Sequence, residues 1–128
     1  IRLAHVAMYR DFSVAMADVD ITQKQSAVLH LIEANPGVSQ VDLAATLGAD
    51  RATMMAIIDR LEARDLLVRK RSVEDRRRQE LHLTDGGYAL LARAKALISQ
   101  HEENFTGRFT QAEVKVLVEA LRRIHQQF

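Results

Sequence analysis

The stretch Leu66-Leu67-Val68-Arg69-Lys70-Arg71-Ser72-Val73-Glu74-Asp75-Arg76-Arg77-Arg78-Gln79-Glu80-Leu81-His82-Leu83-Thr84 decides the fold. Leu67, Arg69 and Arg71 alternate with Val68 and Lys70, and Leu81 and Leu83 alternate with Glu80, His82 and Thr84. That pattern predicts two short strands, each with an inner face. The tip between them, Ser72 to Arg78, is too charged to pack and too short to fold alone. Arginines on such a tip have little to bury and much to offer a phosphate backbone, which points to nucleic acid. They also suit a narrow minor groove, whose negative potential favours guanidinium groups. Asp75 stands among them as an intramolecular partner, holding an arginine or the tip in a fixed pose.

Just before the hairpin, Met54, Ile57, Ile58 and Leu61 follow the i, i+3, i+4, i+7 spacing of one buried helical stripe. Upstream of that helix lies a shorter one, Ser39 to Leu47, presenting Val41, Leu43, Ala44 and Leu47 and closing at Gly48. Two helices across a tight glycine-containing turn make a helix-turn-helix, and the second of the pair is the candidate reader. Its outer face is centred on Ala52, Ala56, Asp59 and Ala63, flanked by Met55 and Arg60. Such small side chains let a backbone sink into a major groove, where Met55 or the alanine methyls meet thymine methyls and Arg60 reaches phosphate or guanine. Alanines on a solvated helix are the bland alternative. Asp59 stands against groove contact unless it is paired or turned away.

Three pairs, Thr22 with Gln25, Ser39 with Asp42 and Thr110 with Glu113, have the spacing of capping boxes and each predicts a helix start. A first helix is expected from about Ile1 to Ala17, and a second from Thr22 to Ala34, stopped by Asn35-Pro36-Gly37. Val38 is expected to add a very short strand. Beyond the hairpin, Leu90, Leu91, Ala94, Leu97, Ile98, His101 and Phe105 keep one helical stripe. Val114, Leu117, Val118, Leu121, Ile124, His125 and Phe128 keep another. Helices at both chain ends with broad apolar faces are best buried against a second copy, a homodimer, unless they pack on one another.

The composition bounds this reading. With 128 residues, 48% of them apolar, only 5 Gly and 1 Pro, one ordered domain is expected. No apolar run reaches membrane-spanning length and no secretory leader is visible, so a cytoplasmic protein without membrane contact is expected. The absence of cysteine excludes disulfides, thiolate zinc sites and thiol-based peroxide sensing. Net charge is only +1, yet Arg51 to Arg78 holds nine basic residues against five acidic ones. The block orients the molecule toward a polyanion without making its whole surface cationic. Of His5, His30, His82, His101 and His125, none shows tight ligand spacing with a supporting carboxylate apart from His101-Glu102-Glu103, which points around a helix and not to one side, so no metal or other cofactor is expected. There is no glycine-rich phosphate loop and no nucleophile elbow, and the chain reads as a non-enzyme.

These elements together resemble the MarR family of transcriptional regulators over essentially the whole chain. The resemblance is carried by Asp75-Arg76-Arg77 followed by Leu83-Thr84, preceded by Asp59-Arg60-Leu61-Glu62-Ala63-Arg64 and Leu66-Leu67-Val68. It implies a mainly α fold with a small β-hairpin wing. Residues 21–84 would form a winged helix-turn-helix, and residues 1–20 and 85–128 a helical dimerisation region. It implies a homodimer in which each winged unit reads half of a palindromic operator in double-stranded DNA, with release by a small ligand. On that basis Ser39, Gln40, Arg51, Thr53, Met55, Arg60, Arg76, Arg77 and Arg78 are the expected DNA contacts. Arg77 would enter the minor groove and Asp75 would brace the wing. Two positions depart from the family. A polar or basic residue reads bases in several members where this chain has Ala56, which shifts the burden to Thr53, Met55 and Arg60. Glycine is common where this chain has Asp65. An effector is expected between the dimer helices and the winged unit, with Tyr9, Phe12 and His30 as candidates and an aromatic or phenolic acid as its chemistry. The competing readings are a winged-helix protein-interaction module without DNA readout and a metal-responsive regulator.

Overall fold

A computed structural model describes residues 1–126. The chain runs α1 (Arg2–Ala15), a 3-10 turn (Met16–Asp18), α2 (Gln23–Ala34), α3 (Gln40–Leu47), α4 (Arg51–Ala63), β1 (Leu67–Arg71), β2 (Gln79–Leu83), α5 (Asp85–Thr106) and α6 (Gln111–His125). It is mainly α with one antiparallel hairpin, as the sequence predicts. Phe128, the last residue of the expected α6 stripe, lies outside the described residues.

Caps set the helix starts. Thr22 and Thr110 form complete capping boxes with Gln25 and Glu113. The Ser39 box forms only in half. Ser39 Oγ accepts from the Asp42 N–H at 3.2 Å, but the Asp42 carboxylate turns to Arg78. Two caps not read from the sequence complete the set. Asp50 Oδ1 accepts from the Thr53 N–H at 2.7 Å to start α4, and Thr84 Oγ1 accepts from the Gly87 N–H at 3.0 Å to start α5. The first helix is shorter than expected, since at Met16 it tightens into the 3-10 turn.

The apolar stripe of α4 is buried as its spacing predicts, with Met54, Ile58 and Leu61 fully enclosed. They meet Val28, Leu29 and Ile32 of α2, Leu43 of α3, Leu67 and Leu81 of the hairpin and Leu91 of α5 in one core. The hairpin pairs Leu67 with Leu83, Arg69 with Leu81 and Arg71 with Gln79 across its inner face. Val38 adds a single bridge to Leu81. α5 lies against α1 and α2.

Between α4 and β1 the chain reverses through a Schellman turn. The Leu66 N–H donates to the Leu61 carbonyl at 3.0 Å and the Asp65 N–H to that of Glu62 at 2.9 Å. Such a turn needs a left-handed residue, and Asp65 supplies it at φ +58°. This is the physical reason that glycine suits the position, and aspartate is among the few side chains that tolerate it. Where α5 crosses this turn, a Cβ built on Gly87 falls 2.0 Å from the Leu66 carbonyl oxygen. Only glycine allows that approach.

The two chain ends are less covered. α6 buries none of its described residues, leaving Val116, Leu117, Val118, Leu121 and Ile124 exposed. Ile1, Leu3, Val6 and Met8 of the N-terminal segment are exposed as well. Among the described residues, no helix is long and apolar enough to cross a membrane.

Candidate nucleic-acid interface

Three elements form one outward surface. A groove between the wing and the start of α3 is lined by Ser39, Gln40, Val41, Asp75, Arg76 and Arg77 with their neighbours. A notch between α3 and α4 is lined by Gln40, Val41, Ala44, Arg51, Ala52 and Met55. Gln40 and Val41 line both, so the surface is continuous from wing tip to the first turns of α4. It brings together Ser39, Gln40, Arg51, Met55, Arg76, Arg77 and Arg78.

The tip is an organised turn and not the unpacked loop that its charge suggests. Ser72 is buried, its N–H donates to the Arg78 carbonyl at 2.9 Å, and its Oγ accepts from the Asp75 N–H at 3.2 Å. Asp75 Oδ1 in turn accepts from the Arg77 N–H at 3.0 Å, and its carbonyl accepts from the Arg78 N–H at 3.0 Å. The aspartate thus holds the Arg77 backbone while the Arg77 side chain stays exposed.

Basic residues of the block divide by what they touch. Arg69, on the inner face of β1, donates from Nη1 to Glu62 and from Nη2 to Asp59 at 2.5 Å each, tying the wing to α4. This answers the objection raised by Asp59, whose carboxylate is paired. Arg64 donates to the Asp20 and Val19 carbonyls at 2.6 and 3.0 Å and fixes the end of α4 to the α1–α2 connection. Arg78 reaches Asp42 at 3.4 Å, a strut from wing to α3. Among the described residues, Arg51, Arg60, Arg76 and Arg77 are exposed and take part in no ion pair.

Two expected DNA contacts stand apart from the continuous surface. Thr53 is half-buried, its hydroxyl donates to Asp50 Oδ2 at 3.1 Å, and it lines a cleft shared with Gln23 and Lys24 of α2. Hydrogen bonds from Thr53 hold the Asp50 carboxyl below the ordinary aspartate range, which favours the ionised cap. Arg60 lies farther along α4, outside the notch.

Of the three effector candidates, the structure brings two together. Tyr9 and Phe12 line a cavity of about 300 Å³ with Ser13, Met16, Ile21 and Thr22. His30 does not share it and points back along α2, its Nδ1 2.7 Å from the Ser26 carbonyl. A pairing that no local pattern signals lies nearby. His101 is buried with Nδ1 2.5 Å from Asp11 Oδ2, and its ring makes T-shaped contacts with Phe12 and Phe105. The hydrogen bond from His101, then that from Asn104, holds the Asp11 carboxyl below its ordinary range. Among the described residues, no three His, Cys, Asp or Glu side chains converge as metal ligands.

The model of the MarR family matches residues 19–78. Over 128 residues, 99% of this chain and 77% of the relative, the chain is 32% identical to the transcriptional regulatory protein assigned to the hcr operon of Thauera aromatica. The chain belongs to the MarR family. It is a DNA-binding transcriptional regulator and not an enzyme. Among solved structures of MarR-family regulators, it is similar to the repressor CouR bound to a 23-mer DNA duplex. That match has a TM-score of 0.92 and 41% identity, covering 97% of this chain and 88% of CouR. CouR bound to p-coumaroyl-CoA matches at 0.89 and 38%, covering 99% and 89%. The PcaV regulator of Streptomyces coelicolor with its natural ligand matches at 0.86 and 30%, covering 98% and 88%.

Proposed function

We propose that this MarR-family regulator is a ligand-responsive repressor that binds a palindromic operator as a homodimer. The observation that carries the proposal is the continuous surface from wing to α4, on which Arg51, Arg76 and Arg77 stand exposed and without ion pairs among the described residues. Guanidinium groups held outward on a braced tip meet phosphates or a narrow minor groove, and Arg77 is the probing residue with Asp75 as its brace. Ser39 and Gln40 at the start of α3 meet the phosphate backbone, and α4 enters the major groove.

Residues 21–84 act as the DNA-binding unit, and residues 1–20 and 85–128 as the dimerisation region. The exposed apolar side chains of the N-terminal segment and of α6 support that division, because a second copy related by a two-fold axis removes both from water. A two-fold dimer sets two reading helices about 34 Å apart, one turn of DNA. Such a protein works in the cytoplasm, where its DNA is.

The similarity to CouR, seen with DNA and with p-coumaroyl-CoA, and to PcaV with its natural ligand supports release by an aromatic or phenolic effector. The cavity beside Tyr9 and Phe12, at the lower end of the usual size of small-molecule sites, is its proposed seat. A ligand acts only through different affinities for the DNA-competent and DNA-incompetent arrangements, so operator and effector weaken each other by the same factor.

The test is to select duplexes from a random library with the full chain and titrate them against a panel of phenolic acids and their coenzyme A thioesters, with sedimentation in parallel. A dimer at micromolar concentration and a reciprocal loss of affinity are expected. A monomer that binds the duplex removes the dimer from the account, and DNA binding indifferent to every panel member removes the effector class.

A further inference from the structure

The reading helix is poor in hydrogen-bonding groups where it should meet bases. On its outer face Ala52, Met55 and Ala56 offer none and Asp59 is held by Arg69; the half-buried Thr53 is tied to Asp50, and Arg60 lies farther along the helix, outside the α3–α4 notch. What the surface does offer is the apolar notch between α3 and α4. It is lined by the buried Ala44, the exposed Ala52, and Val41 and Met55, 56% and 50% exposed. Gln40 and Arg51 stand at the rim. Two large apolar side chains left in water on a DNA-facing surface call for an apolar partner. The major groove contains one such group, the 5-methyl of thymine.

We propose that this notch seats thymine 5-methyl groups, so that Val41, Ala44, Ala52 and Met55 determine specificity by reading methyls, not the hydrogen-bonding edges of bases. The occupant follows from the notch's place on the same surface as the wing groove, through Gln40 and Val41, and from Arg51 at its rim, which suits the phosphates flanking a groove. The inference rests on the DNA-binding reading and adds the chemistry by which sequence is chosen. The small apolar side chain of Ala56, next to Met55 and outside the notch lining, fits the same mode, since a longer polar side chain there would hold the helix away from the methyls.

The test uses duplexes that the full chain selects from a random library, resynthesised with deoxyuridine in place of each thymine in turn, and measures affinity by fluorescence anisotropy. Removing a methyl from a buried contact is expected to weaken binding about fourfold at one or two thymines in each half-site and less than about twofold elsewhere. The double variant Val41→Ala with Met55→Ala, both exposed positions, should lose this thymine preference, binding each thymine duplex and its deoxyuridine counterpart within about twofold of each other. If every deoxyuridine duplex binds within about twofold of its parent, or if the double variant keeps the full preference, the notch does not read methyls although DNA binding stands. If no duplex is enriched from the library, the DNA-binding reading falls and the notch with it.

Discussion

The base and the tip of the wing use the same residue type in opposite ways. At the base, Arg69 is claimed by two carboxylates of α4, and its side chain is only 21% exposed. At the tip, the Asp75 carboxylate is spent on the Arg77 backbone N–H, and the Arg77 side chain has no ion pair among the described residues. Which arginine faces inward is decided by where the acids stand, not by where the arginines stand. Under the proposed function the base is a rigid mount and the tip a probe, a short hairpin that reaches DNA without losing its register against α4.

The largest effect should come from breaking the mount. Gly87→Ala drives a methyl into the Leu66 carbonyl, and backbone must move because neither partner is a flexible side chain. A loss of about 3 kcal/mol in denaturant unfolding is expected, with DNA binding weakened in consequence. Next is the probe itself. Arg77→Ala should lower affinity for a selected duplex by about one to two orders of magnitude in a mobility-shift assay. The melting temperature should stay within about 2 °C, because the side chain is exposed and supports nothing inside the protein.

Arg69→Ala sharpens the contrast. It frees Asp59 and Glu62 near the DNA surface and removes a half-buried strut, so stability should fall by about 1 kcal/mol and affinity by a few-fold through loss of wing position. Adding Asp59→Ala should recover part of the affinity but not the stability, which a double-mutant cycle on both readouts resolves. The smallest effect is expected at the turn below the mount. Asp65→Gly relieves a left-handed backbone at φ +58° and should raise stability by less than about 1 kcal/mol with no change in affinity.

How much of this was legible beforehand depended on the range of the interaction. The α4 stripe, the alternation of the hairpin and the Thr22 and Thr110 boxes are properties of one short window, and each forms as its spacing predicts. Asp42 shows where a window fails. Its spacing from Ser39 suits a capping box, but Arg78, 36 residues away, competes for the carboxylate. The pairing of Arg69 needed the register of β1 on α4, and that of His101 with Asp11 spans 90 residues, so neither leaves a local trace. Gly87 was missed for the same reason, since its close approach to Leu66 exists only once α5 has folded back over the turn. The candidate surface for DNA was partly legible, because the basic cluster is local. The apolar notch beside it needed α3 and α4 in contact.

The claim that one arginine is a strut and the other a probe is tested most directly by salt. Affinity for one selected duplex is measured over a range of salt concentrations for the unaltered protein, Arg77→Ala and Arg69→Ala, and log Kd is plotted against log salt. If Arg77 neutralises a phosphate or the groove potential, its removal lowers the slope by about 0.9 for each wing on the DNA. Arg69→Ala should shift the line and leave its slope unchanged. A slope that falls with Arg69→Ala and holds with Arg77→Ala would contradict the assignment of base and tip.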